Sequence, residues 1–515
     1  MKTLILLIAL ASAAGDFETA VLTLTGASCV EELDESTMER FRELSLRPVE
    51  LNSASRSRLL ATGLFTPFQV ASLLEYRQQT GAILSFVELS LVDGFNRDYV
   101  LALRHFVKLE SAEPPGRRSG HRFHADMMLR GAVKEQEGHA AACGGKLKLG
   151  WGERVELDWA SRTTYSDGSF GLGTLSAAYH GSRVPWKLVL GHFNARFGQG
   201  LTQWNGFSLQ PYGSVGSLRR SGTGFSPTCS FSPELCGAAA DVDLGRWNFG
   251  AAYSFEGSLP IAAVNYTGRS FAAGLTVTGK AAGTHFQVGV PNASVYGEVA
   301  WDGSLQALAG VKWTPSYGST LGALLRYTGG VPECIAAAGL KGLDAVLAAS
   351  PKQQRAMVKY APELVLGQVR MVPALRIAAR RTDVLRLEGR GELALEWGGW
   401  SFRSRCDLVR CSELGWLVNA EAGRTAGPLK AYLRFTAFRV DKWPDRIYVY
   451  ERDAPGSFNV PAYYGRGWAL ALSGSWRPLR AHTFYWRVSY VTYPWMTDTK
   501  PSRFEAKLQY ALSLW

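Results

Sequence analysis

The pattern of apolar and polar positions changes period once along this chain. Up to about residue 110 the apolar residues recur at helical spacing. "EELDESTMERFRELSL" places acids in a first turn and apolar residues on one face. "LNSASRSRLLATG" predicts a second helix capped by Asn52 or Ser53. Thr66 or Pro67 opens a third helix, which Gly81 ends. Ser85 caps "FVELSLV" and Asn96 caps "RDYVLALRHFV". Beyond the Pro/Gly-rich stretch "ESAEPPGRRSGHR" the period becomes two.

Face counting defines the second zone. In "DVLRLEGRGELALEW", Leu385, Leu387, Leu393, Leu395 and Trp397 share one face, while Arg386, Glu388, Arg390, Glu392 and Glu396 share the other. "ERVELDWASR", "LKAYLRFTAF" and "RFEAKLQYALSLW" repeat the pattern. These runs of roughly 9–12 residues match the length of a tilted membrane-spanning β-strand, apolar toward lipid and polar toward the lumen. Strands of soluble sandwiches are nearer ~5–6 residues. Trp and Tyr near strand ends fit an interfacial girdle. The expected fold is mainly β: a transmembrane antiparallel β-barrel of roughly 20 strands with a small all-α domain at the N-terminus. The aromatic end, Trp515, has its alternate apolar positions one place out of phase with the usual terminal pattern.

The start, "MKTLILLIALASAAG", has the layout of a secretory signal peptide. The expected organisation is therefore a signal peptide at 1–15, a helical domain at 30–110, a linker at 111–120 and a barrel at 121–515. The outer membrane is the expected location, with the helical domain in the periplasm. Three connections are too long for turns: 198–236, 330–355, where "CIAAAGLKGLDAVLAAS" predicts a short helix, and 441–461. Long loops of this kind carry function or fold into the lumen as a plug.

Charge is unevenly partitioned. Residues 1–110 hold 10 Lys/Arg against 14 Asp/Glu, a net of −4; the whole chain carries +12, so the strand zone carries +16. Seven cysteines include Cys229 and Cys236, spaced to close a small loop in an oxidising compartment. No nucleophile motif, phosphate loop or metal-ligand spacing occurs, so no cofactor, metal or enzymatic activity is expected.

The stretch "PVELNSASRSRLLATGLFTPFQVASLLEYRQQTGAILSFVELSLVDGFNRDYVLAL" resembles the helix-hairpin-helix domain of competence-type DNA receptors. Its features are the "LNSAS" start, the "EYRQQTGAILSFVEL" bridge and two spaced hairpins. Signal, hairpin domain, linker and barrel together resemble a family of Bacteroidota outer-membrane proteins, through "LVLGHFNARFGQGLTQWNGFSL" and "YERDAPGSFNVPAYYGRGWALAL". The first resemblance implies phosphate contact, without sequence readout, at Gly94, Phe95, Asn96 and Arg97, with Thr66 and Arg77 from the first hairpin. The first hairpin reads Leu64, Phe65, Thr66 where the family has its glycines, and the second keeps only Gly94. From Val49 to Glu110 six cations face six acids, with no basic stripe.

One function follows as the expectation, with two alternatives beside it. The expectation is DNA binding or uptake. The first alternative is envelope transport or assembly, the helical domain docking a periplasmic or envelope protein. The second is a barrel hydrolase using Glu388 or Glu392. Besides outer-membrane lipid, the expected partners are thus DNA or a protein. In the lumen, Arg219, Arg220, Arg386 and Arg390 are candidate pore or plug charges; Arg219 and Arg220 could meet an anion or tether a plug to acidic wall residues.

Overall fold

A computed structural model describes residues 17–33, 35–109, 123–135, 139–152, 154–166, 168–181, 185–205, 213–316, 318–496 and 501–514. The expected signal peptide, the linker and Trp515 lie outside them. Among the described residues no helix is long and apolar enough to cross a membrane. The crossing is made by strands.

Twenty-four antiparallel strands form a closed barrel. The first, Phe123–Glu135, pairs with the last, Arg503–Leu514, from Ala125↔Leu514 to Glu135↔Phe504. Two short segments, Gly224–Pro227 and Leu364–Leu366, lengthen the sheet beside Trp186–Arg196 and Val369–Arg381. The strand number exceeds the expected ~20 because several strands are short and tightly joined, among them Leu259–Thr267, Phe271–Thr278 and Ala282–Val290. The helix expected within 330–355 is instead a hairpin, Val331–Leu340 with Leu343–Ala349. Its alanines alternate between the two faces of the sheet, Ala336 exposed and Ala337 buried. Ala has high helix propensity, and sheet pairing overrides it.

Closure satisfies every ladder donor and acceptor that lipid cannot. Apolar side chains cover the outside: Leu385, Leu387, Leu408, Leu433 and Leu470 are all exposed from the sheet. Arg390, Arg405, Asp407, Asn419 and Glu421 are buried inside. Exposed Trp151, Trp186, Trp247, Trp313, Trp397, Trp400 and Trp476 lie at or near strand ends on the rim that bears the first and last strand termini. These features make the chain an outer-membrane β-barrel. Connections on that rim are short, as at 398–399 and 427–428, so it is the periplasmic one. The opposite rim carries the long loops that follow Arg196 and Val440.

The N-terminal unit contains helices α1 (Phe17–Thr25), α2 (Glu35–Leu46), α3 (Arg56–Ala61), α4 (Pro67–Thr80), α5 (Phe86–Leu89) and α6 (Arg97–Leu103). It begins earlier than the expected residue 30. Val21 of α1 is fully buried in the same core as Phe41, Leu59, Leu73 and Phe106. Thr66 and Gln69 form a reciprocal capping box at the start of α4, with Pro67 in the first turn. Ser85 and Asn96 accept from the backbones of Glu88 and Tyr99. The cap of α3 is Ser55 and not Asn52 or Ser53. Asn52 is buried and joins distant loops, donating to the carbonyls of Ile83 and Leu109 and accepting from the Ile83 N–H.

Candidate functional site: a plugged lumen

The helical unit is seated inside the barrel from the periplasmic rim. The sequence places it on the periplasmic side, and charge complementarity accompanies its seating in the lumen. The alternation that points apolar side chains at lipid points cations at the lumen, and α1, the turn after it and α2 point acids back. Glu18 pairs with Arg403 at 2.5 Å. Glu39 and Glu43 pair with Lys146 and Lys148, and Arg47 pairs with Asp126. Nearer the rim, Arg56 donates to the Thr267 carbonyl at 2.8 Å, and Glu75 and Asp93 flank Arg269 at 3.1 and 3.6 Å.

The densest contact is made by the single helical turn Val30–Glu32. Glu31 lies between two guanidiniums, Arg405 and Arg390, the second at 3.3 Å, and accepts the Tyr450 N–H at 2.9 Å. Glu32 meets Arg355 at 2.8 Å and Arg376 at 3.3 Å, while Ser28 donates to its other oxygen. Lys359 donates to the Ser28 carbonyl at 2.6 Å. Behind the Glu31 pair stands Asp407, which holds Arg390 Nε at 2.9 Å and Arg405 Nε at 2.5 Å.

These contacts set the acidity of the plug. Burial pushes the Glu18 carboxyl up, but Arg403 and Arg452 outweigh it and hold its pKa at about 2. Glu31 is likewise driven up by burial and brought well below the usual carboxylate range by Arg405 and Arg390. Lys148 lowers Glu43 against the same desolvation. Between them, Cys29 is pushed up to about 12 by burial and by the neighbouring Glu32 and Glu31. It is an inert buried thiol.

Two loops from the far rim fold down and complete the plug. In the loop after Val440, Glu451 pairs with Arg487, Asp453 with Lys507 at 2.7 Å, and Arg452 with Glu421 at 2.7 Å. Its Asp445 accepts three successive backbone N–H groups, from Cys411, Ser412 and Glu413. Tyr450 and Phe458 of this loop pack on the core of the helical unit. In the loop after Arg196, Glu298 on the wall accepts from the backbones of Gln199 and Thr202. Its turn 214–217 touches Gly26 so closely that a Cβ there would lie 2.3 Å from Ser217 N. Between this loop, α3 and the wall a cavity of about 130 Å³ remains, lined in part by Arg56, Lys187, Asp241 and His285. It has room for water and small ions.

The sequence-derived residues fall into three groups. Gly94, Phe95, Asn96, Thr66 and Arg77 are engaged within the helical unit. Gly94 has φ +85°, a Cβ on it would strike the Phe68 ring, and its carbonyl takes the Gln69 side chain at 2.8 Å. Phe95 is buried between Phe65 and Tyr99. Arg77 donates to the Ala54 carbonyl at 2.8 Å. Asn96 caps α6 and, with Arg97, stays exposed. Arg386 and Arg390 lie in the lumen: Arg386 reaches Glu388 and the carbonyls of Pro444 and Arg446, and Arg390 reaches Glu31 and Asp407. Arg219 and Arg220 sit in an inward loop, with Arg219 on Ser221 and Arg220 5.1 Å from the Trp204 ring. Both of these contacts are with residues of the same loop. Cys229 and Cys236 are unbonded, so that loop is not closed covalently.

The acids of the plug, Glu18, Glu31, Glu32, Glu39 and Glu43, escaped the sequence reading as site residues. Their signal was the −4/+16 partition, in which an acidic segment precedes a basic cylinder.

No family model matches the chain, and no curated protein does. Among solved structures it is similar to outer-membrane proteins of Pseudomonas aeruginosa. OpdO is 14% identical, with a TM-score of 0.31, over 76% of this chain and 97% of that one. OccK5 (OpdH) is 11% identical, with a TM-score of 0.33, over 77% and 100%. OccK1 (OpdK) is 10% identical, with a TM-score of 0.33, over 76% and 98%.

Proposed function

We propose that this chain is a gated outer-membrane channel and that its helix-hairpin-helix unit is the gate. The single observation that carries the reading is the seating of Glu31 and Glu32 among four wall arginines deep in the lumen. A covalently tethered domain fills the pore and is held by a polar, water-competent contact instead of a continuous apolar one. Charges that pair when the plug is seated can be rehydrated when it leaves, so the contact is reversible without unfolding the barrel. The two inward loops close the same lumen from outside, and the tether 111–120 is the covalent link between plug and wall.

A DNA-handling role belongs inside this reading only as a class of cargo or of contact at the periplasmic face. There Asn96 and Arg97 are the exposed remnants of the hairpin. Titrating the full chain with duplex DNA at low and high salt tests that contact, because phosphate binding must weaken as salt rises.

Planar-bilayer recording tests the gate. The wild-type chain should be closed for most of the record. A Glu18→Gln, Glu31→Gln, Glu32→Gln variant should open far more often with the same open-state conductance. A wild-type chain that conducts steadily as a wide pore, or a triple variant as silent as wild type, would overturn the reading.

A further inference from the structure

We propose that the arginine cluster beneath Glu31 and Glu32 is a binding site for a small multivalent oxyanion, which the two plug glutamates occupy as internal ligands. The inference rests on the gated-channel reading for its biological meaning, though not for its chemistry.

The cluster is organised by the wall and by the inward loop after Val440. Asp407 takes the Nε edges of both Arg390 and Arg405, and the Tyr448 carbonyl takes Arg405 Nη2 at 2.9 Å. This fixes both guanidinium planes and leaves the two Nη1 groups converging on one carboxylate, that of Glu31. Two guanidiniums held in a fixed fork are the arrangement that suits carboxylate and phosphate oxygens. Arg376 is similarly held from behind, its Nη1 3.4 Å from Glu388, while its Nη2 faces Glu32. Asp407 is thus a positioning residue.

The charge count favours a ligand with at least two negative groups. Around the turn, Arg355, Arg376, Arg390, Arg405 and Lys359 meet Glu31, Glu32 or the Ser28 carbonyl, with Arg386 beside them on Glu388, and the carboxylates that share these cations are Glu388, Glu392 and Asp407. Cations are in surplus there, and Glu31 and Glu32 offset most of it. When the plug leaves, a surplus of positive charge stays in a lumen of reduced dielectric, facing the space that the carboxylates of two consecutive residues had filled. An arriving oxyanion and the plug therefore compete for the same cations. Ligand binding in the open state would hold the gate open, and an empty site would draw the plug back.

Isothermal titration on the detergent-solubilised full chain tests this, with citrate and inorganic pyrophosphate as probes at constant ionic strength. Wild type should show no saturable binding. Glu31→Ala with Glu32→Ala should bind at least one probe ten-fold or more tighter than wild type. Adding Arg390→Gln and Arg405→Gln should abolish the gain. Preference for citrate would assign a carboxylate ligand, and preference for pyrophosphate a phosphate one. Heat-modifiable migration on gels checks that each barrel is folded, and Glu31→Gln with Glu32→Gln replaces the alanine pair if that fails. No gain in the double variant, or equal binding in the quadruple one, would overturn the site. If the double variant binds but never conducts, the channel reading falls and the site stands. If it conducts without binding, the site falls and the channel reading stands.

Discussion

Replacing Glu31 with Gln removes one charge from the most enclosed contact between plug and wall and changes almost no volume. The Glu31, Arg390 and Arg405 side chains are each about 10% exposed or less. Breaking a buried pair from one side costs about 3–5 kcal/mol, chiefly because it strands the partner charge. Two features pull the estimate to the lower end. Asp407 still neutralises one of the two guanidiniums, and Gln still accepts the Tyr450 N–H. About 3 kcal/mol is roughly a hundredfold in the equilibrium between seated and displaced plug. Hydrogen exchange of residues 17–33 in the micelle-bound protein reads that equilibrium, because those amides exchange through local opening. The control is Glu75→Gln. Its partner Arg269 is 60% exposed, and a pair of that kind contributes about 0–1 kcal/mol. Exchange should therefore accelerate about a hundredfold in the first variant and less than about fivefold in the second. Equal protection in the two variants would show that the charge clamp does not hold the plug.

Acidity should loosen the plug in a defined window. Glu18, Glu31 and Glu43 are more acidic seated than free, so seating is fully supported above the free value of 4.5 and is lost as pH falls from there toward about 2. Exchange of residues 17–46, corrected for intrinsic rates, should be flat from pH 8 to 5 and rise below 4.5; a transition centred near neutrality would contradict the assignment. Phe95→Ala empties a core position between Phe65 and Tyr99 and should destabilise the helical unit by about 3–5 kcal/mol with no effect on the barrel. Near-unity exchange ratios across α3–α6 would refute that. Leu433→Arg puts a charge on the lipid face in mid-strand and should cost about 2–4 kcal/mol in a bilayer folding titration. An unchanged midpoint would mean that this face does not meet lipid.

The period-two pattern made the barrel legible because a membrane strand must declare both of its faces in sequence. Arg386 to Glu396 could not line anything but a wet interior. Helix caps were legible where the cap is local, as at Thr66, Ser85 and Asn96. They were not where a side chain works at long range: Asn52 bridges to Ile83 and Leu109, which are distant in sequence. The alanine-rich hairpin at 331–349 misled because its residues favour helix locally and only sheet closure decides against it. The seating of the plug was hidden for a similar reason. Glu31 and Arg405 are 374 positions apart, and nothing near either one names the other. Only the opposite signs of the two zones hinted that they belong together.

The same signs explain how a helical unit whose sequence resembles a phosphate-gripping module can serve inside a barrel. A module that grips phosphate needs surplus cations on its hairpin face. A module that stops a basic lumen needs surplus acids, and needs them on the face that enters first. Here the acids lie on α1, on the turn 30–32 and on α2, all preceding the hairpins, while the hairpin segment itself is neutral. Only the second requirement is thus met, by a stretch of chain that precedes the hairpin segment and packs on the same core. An apolar seal of equal area would hold the plug more tightly but would meet water as exposed grease each time it opened. A charged seal gains little net free energy per pair, since desolvation offsets attraction, yet loses heavily when any single partner is missing. That combination is what the proposed gate requires: a seal that fits one wall only and can still be released, leaving the arginines of that wall to an anion only while it is open.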